Sequence, residues 1–145
     1  LFHHFKSKDD ILATVMEQTI IYNFARLKEA AERSNDPEQQ LRDLIKAELI
    51  SITGDTGAAM AVLVHEWFAL SKEKQEYLLK MRNEYEQIWL DVIEKLRAQG
   101  KVKHDAFIWR RLVGGSISWS VTWYNPDGKV KVDELTEMVW EMALK

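Results

Sequence analysis

The chain has 145 residues, 46% hydrophobic and 30% charged, with a formal net charge of −3 and no cysteine. That length suits one domain, able to bury roughly 68–70% of its unfolded surface. The composition excludes a disulfide framework, Cys-ligated metal, a membrane-spanning segment and a broadly polyanion-binding surface, so a cytoplasmic globular protein is expected. The first ten residues contain two Lys and two Asp, and the remainder carries the same net charge of −3. Any nucleic-acid contact must therefore lie near residue 1 or upstream of it. Six Trp, four Tyr and five Phe must be absorbed by core, pocket or interface.

Residues 1–6 precede a clear helix start. Ser7 is a candidate N-cap, Asp9 and Asp10 complement the positive helix end, and Ile11 and Leu12 open an apolar stripe. What ends at Phe5 is too short to be a domain, and the chain lacks an initiator Met, so the sequence is expected to begin inside a longer protein. From Ser7 to Arg33 the stripe Leu12, Met16, Ile20, Leu27 recurs at helical spacing, predicting a rod of about 37–40 Å. Ser34 to Pro37 breaks it. Asp36 is the next N-cap, Pro37 stands at the first helical position and Gln39 completes a capping-box spacing. Leu41, Leu44, Ile45, Glu48, Leu49 and Ile52 then mark an amphipathic helix ending before Gly54.

Ala58 to Leu70 is apolar on nearly every side, which predicts a helix at the centre of the domain. Ser71 caps a long charged helix reaching Gln99, with Leu78, Met81, Tyr85, Ile88, Trp89, Val92 and Leu96 inward and Gly100 closing it. Asp105 to Tyr124 carries two apolar stripes. One is Ile108, Leu112, Gly115, Trp119, Trp123, and the other is Trp109, Val113, Ile117, Val121. Asn125 to Gly128 is a turn, and the last helix, from about Asp133, is again doubly apolar (Leu135, Val139, Met142 beside Trp140, Leu144). Doubled stripes on adjacent helices point to an intermolecular bundle, with a two-fold homodimer as the commonest form. The predicted class is all-α.

Chemistry is sparse. His3, His4, His65 and His104 form no metal-ligand spacing, so no metal is expected, and neither a nucleophile with its base nor a phosphate loop is present. No cofactor and no enzymatic activity are expected. His65-Glu66 reads as a hydrogen-bonded pair with a packing or edge role, or as a ligand contact, and Gly114-Gly115 as close helix packing or ligand approach. Rings and methionines distributed over several helices, namely Phe24, Met60, Trp67, Met81, Tyr85, Trp89 and Trp119, together with Ile20, are suited to line an apolar ligand cavity.

Leu1 to Leu12 resembles the junction of the recognition helix and the fourth helix in the tetracycline-repressor (TetR) family of transcriptional regulators. The helix order that follows resembles the family's effector domain. The resemblance implies that residues 1–6 are the end of a helix-turn-helix lying mostly upstream, and that 7–145 form an effector-binding and dimerisation domain. It implies operator-DNA contact at Phe2, His3, His4, Lys6 and Lys8, through phosphate above all, with Phe2 departing from a Tyr usual in the family. It further implies homodimerisation through helices 105–124 and 133–145, and a small apolar effector. The Trp-Tyr-x-Pro-Asp-Gly turn (Trp123 to Gly128), preceded by Gly114 to Trp119, is similar to the branch that senses acyl-CoA thioesters of lipid or sterol breakdown. The alternatives are a small-molecule-binding helical module without DNA activity, and a multidrug-sensing regulator of the same family whose effector is planar aromatic or drug-like.

Overall fold

The computed structural model describes residues 7–144, apart from the side chains of Met60, Leu63 and Val64. Every regular element among them is helical: α1 (Lys8–Glu32), α2 (Pro37–Thr53), α3 (Gly57–Glu66), α4 (Lys72–Ala98), α5 (Ala106–Trp119) and α6 (Val132–Ala143). Four of the starts follow the expected caps. Ser7, Asp36, Ser71 and Asp105 accept from the backbone N–H of Asp10 (3.3 Å), Glu38 (3.3 Å), Lys74 (3.3 Å) and Ile108 (3.1 Å). Gly100, at φ +73°, closes α4 in the left-handed conformation that a side chain would strain.

The expected capping box at Asp36 does not form. The Gln39 amide instead donates to Asp43 one turn on (3.0 Å), while Ser34 Oγ accepts from the Asp36 N–H (3.0 Å) and satisfies the group that Gln39 was expected to reach. The helix expected to continue to Tyr124 ends at Trp119 in a 3₁₀ turn, Ser120–Thr122. There the Ser120 and Thr122 hydroxyls bond back to the carbonyls of Ile117 and Trp119, competing with the α-helical ladder.

The centre of the domain is α2, not α3. Leu41, Leu44, Ile45 and Leu49 are wholly buried, and α2 packs on every other helix. Around it lie Leu27 and Ala30 of α1, Trp89, Val92, Ile93 and Leu96 of α4, Trp109 and Ile117 of α5, and Leu135 of α6. The segment 58–70, expected at the centre, sits instead at the edge. It breaks into α3 and a 3₁₀ turn at Trp67–Ala69, with Val62 40% and Phe68 89% exposed. Contact with α1 and α2 covers only part of this short helix, so its all-round apolarity is not matched by all-round burial. Among the described residues, no helix is long and apolar enough to cross a membrane.

Candidate functional site

A second, smaller apolar cluster lies away from the main core. Met16, Leu70 and Leu78 are its buried centre, with Leu12, Ala13, Ile20, Trp67 and Met81 packed against them. It joins the first half of α1, the 3₁₀ turn after α3 and the first half of α4. Two Met side chains and one Trp make this packed cluster soft and polarisable. The Gln75 amide donates to the carbonyls of Trp67 (3.0 Å) and Leu70 (3.2 Å), fixing the turn that carries Trp67.

Polar ties hold α1 above this cluster. Tyr22 and Arg26 both donate to Asp55 (3.0 and 2.6 Å), Arg26 also reaches Ser51 Oγ (3.1 Å), and the Thr56 hydroxyl donates to Asn23 (3.1 Å). The Arg26 hydrogen bond holds the Asp55 carboxyl below its ordinary pKa, and although burial works against the Arg26 charge, Asp55 raises the guanidinium's pKa. At the start of α1, Lys74 of α4 pairs with Asp9 (3.2 Å) and Asp10.

Of the residues proposed to contact the effector, Ile20, Trp67 and Met81 come together in this cluster. Phe24 lies one turn along α1, on a separate open groove of about 300 Å³ that it shares with Ile88 and Val92 of α4. Tyr85 and Trp89 belong to the main core, Trp89 at 0% exposure. Trp119 joins neither cluster and is 67% exposed on α5. The side chain of Met60 lies outside the description, as do Phe2, His3, His4 and Lys6; Lys8 is exposed at the first position of α1. His65 is exposed.

Sequence reasoning missed the polar hub beside Tyr85 and Trp89. Arg110, with its side chain 8% exposed, meets Glu48 through two bonds (3.0 and 2.7 Å) and Glu86 through two more (both 2.9 Å), and its guanidinium stacks 4.2 Å from the Trp89 ring centroid. Tyr85 donates to Glu48 (2.9 Å), and burial, seconded by the Glu48 charge, pushes its phenol well above the usual pKa. Burial alone would lower the Arg110 pKa; its carboxylate partners outweigh that and raise it. The hub joins α2, α4 and α5. Its one sequence signal was a Glu inside the apolar stripe of α2, a position that demands a partner.

On the outer side of α5 and α6 a broad apolar face meets solvent: Ile108 (50%), Leu112 (70%), Trp119, Trp123 (59%), Met138 (48%) and Met142 (86%). Exposed apolar area of this extent marks an association surface. Ile108, Leu112, Trp119 and Trp123 are one of the two stripes expected over 105–124, while Trp109, Val113 and Ile117 of the other turn inward; on α6 the expected stripe Leu135, Val139, Met142 divides, with Leu135 buried and Met142 exposed, and the outward Met138 belongs to neither expected stripe.

A helical domain with a small apolar cluster under a long N-terminal helix, and a separate apolar face on its last two helices, has the plan of the sensing half of a transcriptional regulator. The family model "Tetracyclin repressor-like, C-terminal domain" matches residues 34–145, and the chain belongs to that family. The HTH-type transcriptional repressor KstR2 of Mycolicibacterium smegmatis is 24% identical over 147 residues, spanning 99% of this chain and 71% of its own. Among solved structures, one described as superantigen pfit is 45% identical with a TM-score of 0.88, covering all of this chain and 79% of that one. AibR in complex with isovaleryl coenzyme A and operator DNA shares the fold at 18% identity and TM-score 0.83, over 97% of this chain and 77% of that one. The family is one of transcriptional regulators.

Proposed function

We propose that residues 7–145 are the effector-binding and dimerisation domain of a cytoplasmic, ligand-responsive repressor whose helix-turn-helix ends at residues 1–6. The observation that carries this is the position of the Met16–Leu70–Leu78 cluster, directly below the first turns of the helix that follows the DNA-reading segment. Two copies pair through helices 105–124 and 133–145, burying the outer stripe. The pair then holds two reading heads at a separation matching half-sites about 34–36 Å apart, or a multiple of that. Phe2, His3, His4, Lys6 and Lys8 contact the operator, mainly at phosphate. An effector seated in the cluster favours a different tilt of α1 and so releases DNA. The apolar walls favour a small apolar effector, and the coenzyme A thioester on AibR supports a fatty acyl-CoA as the class.

The test uses this chain with the residues encoded upstream of it. It should retard a palindromic duplex selected from a random library, and a fatty acyl-CoA should release the duplex. Trp67→Ala should shrink the thermal shift caused by that acyl-CoA. Failure to bind any duplex would refute the repressor reading; release by planar aromatic compounds but not by acyl-CoA would refute the effector class.

A further inference from the structure

We propose that Lys74 is a positioning residue, an electrostatic latch that holds the first turn of α1 to the first turn of α4 and so favours the operator-binding arrangement; this rests on α1 being the lever of the repressor read above. The ammonium of Lys74 lies 3.2 Å from Asp9 Oδ2 and also pairs with Asp10, all three side chains being 28–33% exposed. Among the described residues, Asp9 has no other ion-pair partner, and its Oδ1 is buried without a hydrogen bond.

A lysine here is locally unfavourable. The start of a helix carries partial positive charge, where cations cost and acids help. Asp9 and Asp10 obey that rule in α1, whereas Lys74 breaks it in α4. Its position is explained by what it reaches across to. Among the described residues, the side chains of Tyr22, Asn23 and Arg26 tie the second half of α1 to residues 51–56. Near its start α1 meets α4 through Lys74 and through the apolar cluster, which takes in Leu12, Ala13 and Leu78.

Latch and cluster thus span the same gap between α1 and α4. A ligand entering the cluster and widening the gap must stretch the two ion pairs, so the latch opposes effector and supports operator through one shared equilibrium. Two partly exposed pairs set a modest scale, about three- to tenfold in an equilibrium constant.

The experiment compares wild type, Lys74→Met and Lys74→Arg in the protein carrying its natural upstream residues. Hydrogen exchange of the Ile11–Val15 amides and affinity for the selected duplex are measured in each. The latch predicts exchange about three- to tenfold faster in Lys74→Met, duplex affinity weaker by at most that factor, Lys74→Arg near wild type, and a melting temperature lower in Lys74→Met by no more than about 6 °C. Unchanged exchange in Lys74→Met overturns the latch. So does exchange that quickens equally at the Leu41–Leu49 amides of α2, which marks a merely structural role. Should the wild type bind no duplex, the repressor reading fails, while the exchange rates still decide the latch.

Discussion

Arg110→Met isolates the buried hub. Its removal leaves the Glu48 carboxylate, with its side chain 7% exposed, facing only the Tyr85 hydroxyl. Removing one partner of a buried ion pair costs about 3–5 kcal/mol. In a domain of this size that corresponds to a melting temperature lower by roughly 6–20 °C. Glu86 is different: its side chain is 28% exposed and can rehydrate, so Glu86→Gln should cost under about 1 kcal/mol. In the double variant Arg110→Met/Glu48→Met both charges leave together. What remains is a Tyr85 hydroxyl without its acceptor, a residual cost of about 1–2 kcal/mol. Urea unfolding at one fixed protein concentration, with slopes compared so that only midpoints are interpreted, measures all three. The reasoning is refuted if Arg110→Met is no worse than Glu86→Gln, or if the double variant is no more stable than Arg110→Met.

Three further outcomes are expected. A Cβ on Gly114 would lie 2.5 Å from Arg110 Nη1, a group held by its carboxylates, so Gly114→Ala should destabilise by about 1–3 kcal/mol; in the Arg110→Met background the same change should be neutral or stabilising, as helix propensity dictates. Leu112→Glu/Met142→Glu should elute as a monomer with unchanged helicity in size-exclusion chromatography with light scattering, and a persisting dimer would move the interface elsewhere. The Tyr85 phenol, raised above its ordinary pKa in the fold, contributes stability that is complete below about pH 10 and declines as pH rises toward the folded value. Phenolate absorbance should therefore show one of the four tyrosines ionising only with unfolding, a step absent in Tyr85→Phe.

Local signals were legible wherever a residue acts on its own backbone. Ser7, Asp36, Ser71 and Asp105 cap helices because each hydroxyl or carboxylate reaches N–H groups two or three residues on, a distance written in the sequence. Gln39 failed the same logic because Ser34 Oγ took the one N–H, that of Asp36, which Gln39 was expected to reach. Burial across helices was less legible. The residues 58–70 are the most apolar stretch, yet α2 took the centre, since centrality depends on how many helices surround an element and not on its own hydrophobicity alone. The two stripes of α5 were readable, but which of them faces solvent was not, and Trp119 was placed in the pocket set when it lies outward. Ile20, Trp67 and Met81 meet because α1, the turn after α3 and α4 converge, a fact of tertiary geometry. The Glu48–Arg110 pair spans 62 positions and leaves only half its signature in any one helix.

The unequal size of the two apolar clusters has a thermodynamic consequence. Sixteen buried residues tie α2, α4, α5 and α6 to the second half of α1, whereas three hold the opposite half of α1 to the turn after α3. Opening is cheapest where least apolar surface is covered, so the ladder of subglobal unfolding should begin at Met16 and Trp67 and reach Trp89 last. Such a gradient lets the end of the molecule that carries the small cluster open locally while the main core stays closed. A stiffer small cluster would make a more stable domain and a poorer sensor.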